Sequence, residues 1–230
     1  MYEPYIGSRD TVEQEVDVTE RNLTDRAFDQ IERMIVLQEI PPGSLISEKQ
    51  LTELTGIGRT PVREALQRLA RDRMVEIHPQ RGVLVPASSI EAQLKLLELR
   101  RVLEPFAAQL AAARARPNQR EHARDMLDRL DASPVSVEDF PTVLRDSHEF
   151  IVEAAQNEFL SVAMAPLQGL SRRFWFAHLT DPEAQVQEAV ALHRGILHAI
   201  VKADGAGAEA ASLALNDYLV AFTYDTLPKR

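Results

Sequence analysis

The segment SEKQLTELTGIGRTPVREALQRLA, Ser47 to Ala70, leaves little freedom in how it can fold. Ser47 and Gln50 form the reciprocal capping-box pattern that starts a helix. Leu51, Leu54 and Ile57 give that helix an apolar face, and Gly56 is a natural left-handed stop. After a tight turn, Thr60 as cap and Pro61 at the first position, where a missing N–H costs nothing, open a second helix. Val62, Ala65, Leu66 and Leu69 form its inward stripe, which leaves Arg63 and Gln67 on an outward face near its start, with Arg59 just before. Two short helices joined in this way make a helix-turn-helix. DNA-binding versions present the N-terminal part of the second helix to the major groove.

The flanks extend the pattern. Upstream, Thr24 can cap a helix whose apolar residues Ala27, Phe28, Ile31, Met34, Ile35 and Leu37 run to near Glu39. The stretch IPPGS, Ile40 to Ser44, then breaks it. Downstream, MVEIHPQRGVLVPA, Met74 to Ala87, alternates as strand, turn and strand, which is the wing of a winged helix. Gln80, Arg81 and Gly82 fall at its tip, where glycine permits close approach and arginine can meet phosphate or a minor groove.

The net charge of the chain is −9, and its distribution matters more than its sum. Residues 20 to 86 hold ten basic and ten acidic residues, whereas residues 87 to 230 hold 15 and 20. Within the first region, Arg59 to Arg81 carries six arginines against three acids, a local excess of the sign that suits a polyanion. Residues 1 to 19 hold five acids against Arg9 without an apolar period, and they read as a flexible acidic tail. The absence of cysteine excludes disulfides, thiolate catalysis and cysteine-ligated zinc. No segment reaches the roughly 18 apolar residues of a membrane span, and the N-terminus lacks a signal-peptide layout, so a cytoplasmic protein is expected.

The stretch GRTPVREALQRLARDRMVEIHPQRGVLV closely resembles the N-terminal domain of the GntR superfamily of bacterial transcription regulators. On that resemblance Lys49, Arg59, Thr60 and Arg63, with Gln80, Arg81 and Gly82 in the wing, match positions that contact operator DNA. Arg68, Arg71 and Arg73 are either phosphate contacts or solvated surface.

From Ser89 onward the pattern is almost continuous helix: Ile90 to Ala115, with Pro105 expected to kink or divide it, then about 117 to 131, 137 to 155, 157 to 178, 182 to 203 and 207 to 226. Short links between amphipathic helices suit an antiparallel bundle, and no glycine-rich phosphate loop accompanies them. The ordered stretches ELRRVLEPFAAQLAA, SHEFIVEAAQN and LHRGILHAI resemble the FCD effector domain of the FadR-type branch of GntR regulators. Such domains sense small molecules, often carboxylates, and many hold a divalent metal through one aspartate and three histidines. His148 and His193 match the first two histidines, while Leu144 stands at the aspartate position and Tyr218 at that of the last histidine. The resemblance thus leaves an incomplete metal set, His148 and His193, and makes His148, His193 and Tyr218 effector-binding candidates; Arg100 is a further candidate, from the chemistry of an arginine facing a bundle interior. Arg100 reads equally as a ligand for a carboxylate or as a salt bridge to Glu98, Glu104 or a neighbouring helix. Phe174, Trp175 and Phe176 are pocket, core or dimer interface.

The expected protein is mainly α: a winged helix-turn-helix over residues 20–87, then an antiparallel all-α helical bundle over 88–230 for effector binding and dimerisation. It reads as a homodimeric, non-enzymatic transcription regulator, with double-stranded operator DNA and a small-molecule effector as partners. One rival is a metal-dependent hydrolase on His148 and His193, for which no nucleophile-base pair is visible. Another is a ligand-responsive scaffold without DNA binding.

Overall fold

The computed structural model describes the backbone of residues 9–227 and the side chains of residues 22–227. The chain divides into two compact units with a boundary between Pro86 and Ala87. In the first unit the order is α1 (Arg9–Val36), β1 (Leu45–Ile46), α2 (Glu48–Thr55), α3 (Arg59–Arg71), β2 (Glu76–His78) and β3 (Gly82–Leu84). The expected capping box is present, with Gln50 N–H donating to Ser47 Oγ and Gln50 Oε1 accepting from Ser47 N–H. Gly56 ends α2 at φ +65°. The three strands form an antiparallel sheet in the order β1-β3-β2, pairing Ile46 with Val83 and Ile77 with Val83.

The core of this unit is made by one face of each element. Ala27, Phe28, Ile31 and Ile35 come from α1, Leu51 from α2, Val62, Ala65, Leu66 and Leu69 from α3, and Val83 from β3. Gly82 sits at φ +116°, and a Cβ there would lie 2.7 Å from the Ile46 carbonyl oxygen. Glycine is therefore required twice over, by its dihedral and by the approach of β1.

Several local expectations are corrected. The first helix begins at Arg9, so Thr24 lies inside it and donates its hydroxyl to Glu64 Oε2 at 2.8 Å rather than capping. Of the acidic tail expected over 1–19, residues 1–8 lie outside the described residues and the backbone is helical from Arg9. The cap of α3 is Gly58, not Thr60, and no side chain caps it; Val62 N–H closes the first turn on the Gly58 carbonyl. Pro61 still falls in the first turn, where donors are unpaired in any case. Leu54 is 60% exposed, because an eight-residue helix turns only Leu51 fully into the core. Arg68 is structural: its guanidinium lies 4.1 Å from the Phe28 ring centroid and donates to Asp25 at 2.9 Å.

The second unit is six helices: α4 (Ile90–Arg114), α5 (Pro117–Ala132), α6 (Phe140–Ala155), α7 (Glu158–Ala177), α8 (Pro182–Val201) and α9 (Gly205–Asp225). Ser89, Asn157, Asp181 and Asp204 each cap the helix that follows by accepting a backbone N–H. Helix α4 is central, packing most extensively on α9 and also on α6, α7 and α8. It runs undivided through Pro105, at the loss of one ladder bond. Helix α6 starts later than expected, at Phe140, because Ser136 and Asp139 bond each other in a turn before it.

Buried in α4, Arg100 donates through Nε and Nη2 to the two carboxylate oxygens of Glu104, both at 2.9 Å. Gln168 of α7 adds a bond to Glu104 at 3.3 Å. Among the described residues, no helix is long and apolar enough to cross a membrane.

Ser47→Ala is expected to cost about 1 kcal/mol in denaturant unfolding, and Gly82→Ala more, since a backbone oxygen must move. Glu104→Ala, which strands Arg100, is expected to cost about 3–5 kcal/mol. The double replacement Arg100→Met, Glu104→Met should be far milder, and equal costs would contradict the pairing.

Candidate functional site

Two surfaces collect the candidate residues. The first is the exposed start of α3. Arg59, Thr60 and Arg63 are all solvent-exposed there, as are Lys49 near the start of α2 and Gln80 and Arg81 at the wing. Arg59 and Arg63, four residues apart, share one helix face. Arg63 donates Nε to Glu48 Oε2 at 2.7 Å, which ties the starts of α2 and α3 together. Its two Nη groups remain for an external acceptor, a geometry suited to a guanine edge or a phosphate. Lys49 lies 3.7 Å from Glu53 and is 77% exposed, so this pair leaves the ammonium at the surface. Gln80 takes φ +63° and Arg81 N–H donates to the His78 carbonyl, closing the turn that displays both side chains. Sequence reasoning missed Glu48; its only signal was an acid in the first turn of α2.

The second is a cavity of about 30 Å³ inside the bundle, lined in part by Arg100, Leu144, His148, Arg172, Trp175 and His193. It has room for about two water-sized groups. The imidazoles of His148 and His193 face one another with centroids 5.6 Å apart. His193 Nδ1 lies 2.8 Å from the Ala189 carbonyl oxygen, which assigns the hydrogen to Nδ1 and leaves Nε2 as an acceptor. That Nε2 and both ring nitrogens of His148 are buried without a hydrogen-bond partner. Burial holds His148 well below the ordinary histidine range, reinforced by His193, Arg172 and Arg100 nearby. Burial also lowers His193, against the opposing pull of its Ala189 bond and Glu104. Both rings are therefore neutral at pH 7, and each offers a lone pair.

The other expected residues are distributed unevenly. Arg100 lines the cavity while paired to Glu104, so the salt-bridge reading of this residue holds. Tyr218 stands aside: its hydroxyl accepts from Trp175 Nε1 at 3.3 Å, and Leu219 rather than Tyr218 lines the cavity. Neighbouring Asn216 donates to the Leu97 carbonyl, and Asp217 pairs with Arg101. Arg172 was missed, although two adjacent arginines before the apolar FWF run signalled buried charge.

This lining does not fit a divalent metal. Two imidazoles are present, but Leu144 offers no donor and Glu104 is already held by Arg100 and Gln168. Arg100 and Arg172 line the same space and offer N–H donors only, with no lone pair for a metal ion. Among the described residues, no group of three or more His, Asp or Glu side chains is placed to hold an ion.

His148 also lines a second, open groove of about 550 Å³ along α6 and α7, with Arg116, Glu149, Glu153, Glu158 and Gln168. It thus forms a wall shared by the groove and the inner cavity.

Residues 95–217 match the FCD domain family, and residues 23–85 match the family described as bacterial regulatory proteins, gntR family. The HTH-type transcriptional regulator Mce2R of Mycobacterium tuberculosis is 34% identical over 134 residues, which cover 50% of this chain and 56% of that protein. The chain therefore spans only about half the length of that relative. The HTH-type transcriptional repressor RspR of Escherichia coli is 26% identical over 206 residues, covering 87% and 88% of the two chains. The solved structure of E. coli McbR/YncC shares the fold at a TM-score of 0.73 and 22% identity, covering 88% of this chain and 97% of that one. The FCD match alone takes in more than half of the residues. The chain belongs to the GntR family of bacterial regulatory proteins, in the branch that carries an FCD domain.

Proposed function

We propose that the protein is a homodimeric, DNA-binding transcription regulator whose helical unit binds a small metabolite carrying a carboxylate. The observation that carries the reading is the exposed pair Arg59 and Arg63 at the start of α3, in a unit whose core uses the rest of that helix. A helix buried along one stripe and open at its N-terminus can enter a major groove without unfolding anything. The wing, with Gln80, Arg81 and Gly82, supplies contacts to the flanking backbone, and Lys49 a phosphate contact.

A carboxylate is favoured in the helical unit by the two buried arginines that line its cavity, Arg100 and Arg172. A second copy is favoured by an apolar stripe on α4: Leu99, Val102 and Phe106 are 48%, 67% and 47% exposed at spacings that place them on one face. Two such copies would read half-sites about one helical turn apart. The metabolite would change operator affinity to the extent that it binds better to one spacing of the DNA-binding units than to another.

With an operator selected from random duplexes, Arg59→Ala and Arg63→Ala are each expected to weaken binding about 5- to 150-fold, corresponding to about 1–3 kcal/mol per lost contact, with the circular dichroism unchanged. Wild-type affinity in both variants would remove α3 as the reading helix. In sedimentation, Val102→Asp combined with Phe106→Asp is expected to shift the dimer to monomer. An undisturbed dimer would place the interface elsewhere.

A further inference from the structure

We propose that Glu48 is a specificity-determining residue, which acts through Arg63: by holding that side chain at Nε it turns a general phosphate contact into a reader of a guanine edge. The proposal rests on the reading of α3 as the helix that meets DNA, and it gives a residue of α2 a positioning role within that reading.

Arg63 Nε donates to Glu48 Oε2 at 2.7 Å, which joins the first turn of α2 to the start of α3. Both side chains are open to solvent. An ion pair so exposed contributes little to folding, so its consequence lies at the surface where it stands. Arg68, further along the same helix, is the contrast. It donates through Nη1 to Asp25 and sits over the Phe28 ring, so its fork is spent within the unit. Arg63 is held by the nitrogen nearest its stem.

With Nε occupied, the side-on fork made by Nε and one Nη is closed, and the end-on fork of the two Nη groups remains. Guanine presents two acceptors to such a fork, O6 and N7. Adenine sets a donor beside its N7, and thymine offers a single acceptor.

Charge acts in the same direction. The Glu48 carboxylate offsets the guanidinium, and the pair is close to neutral as a whole. A phosphate placed on the same guanidinium meets the Glu48 charge at close range, a repulsion that an uncharged guanine edge does not meet. Phosphate contacts carry no sequence information, whereas contacts to base edges do. Glu48 therefore lowers affinity for DNA at large more than it lowers affinity for a matched site.

The test is fluorescence anisotropy across a range of salt concentrations, on the full chain and its variants Glu48→Ala, Glu48→Gln, Arg63→Ala and Glu48→Ala combined with Arg63→Ala. Three duplexes are needed: the operator selected by the wild-type protein, the same operator with one guanine pair replaced by adenine, and an unrelated sequence. The guanine is the one whose N7 methylation interferes with binding by the wild type and not by Arg63→Ala. Glu48→Ala is expected to bind the unrelated duplex about 5-fold more tightly, with a salt slope steeper by about one, as Arg63 gains a phosphate. Its preference for the operator over the adenine duplex should fall about 10-fold, within the range of one bidentate base contact. Glu48→Gln, which keeps an acceptor for Nε and removes the charge, should fall between the two proteins. In the Arg63→Ala background, Glu48→Ala should leave the preference unchanged, and circular dichroism should be the same for all.

Undiminished preference in Glu48→Ala, or an equal loss with and without Arg63, would overturn the proposal while leaving Arg63 as a DNA contact. So would an operator in which no guanine methylation is sensed through Arg63. Wild-type operator affinity in Arg63→Ala would instead remove the reading of α3, and this assignment with it.

Discussion

The ion pair of Arg100 and Glu104 determines what the interior of the helical unit can hold. Both residues lie on the buried side of α4, the helix that packs on four of the other five, and each would be intolerable there alone. Paired in two parallel bonds, and with Gln168 on the carboxylate, they become a nearly neutral group. This pairing leaves Glu104 already held by Arg100 and Gln168, and so not free to hold a further cation. Burial is the main cause of the depressed basicity of His148 and His193, with the neighbouring guanidinium groups reinforcing it. The apolar residue at position 144 also disfavours a cation, since it removes the donor one helical turn before His148.

The winged unit is organised by a different constraint, the need to bury one stripe of α3 while keeping its first turn open. Val62, Ala65, Leu66 and Leu69 fix the rotation of the helix, and that rotation alone turns Arg59 and Arg63 outward. The Glu48 bond then holds the Arg63 fork by its inner nitrogen, so that less rotamer freedom is lost on meeting DNA. On the other side, Arg68 is spent on Phe28 and Asp25, which secures α1 against α3. The arginine-rich run thus divides between structure and surface according to helix face.

What could be read from the sequence was encoded locally. The Ser47 capping box, the left-handed Gly56 and the turn before Gly82 each depend on a few adjacent residues, and their chemistry names them. The two-residue strand β1 had no such signature, because Leu45 and Ile46 become a strand only when β3 pairs with them. Leu54 looked like core by spacing and was not, since α2 is too short to be covered on that side. In the bundle, His148 and His193 were legible from their motif positions, whereas Arg172 and the choice of Glu104 over Glu98 as the partner of Arg100 depended on how α4 and α7 meet. Tyr218 shows the limit of position alone: it occupies the motif register, yet its hydroxyl turns to Trp175.

The central claim is that two copies of α3 read DNA together, and hydroxyl-radical footprinting of the full chain on its selected operator tests it most directly. The account predicts two protected patches centred about 10 base pairs apart on one face of the duplex, both lost in the Arg63→Ala protein. A single patch, or an extended protection indifferent to Arg63, would contradict it.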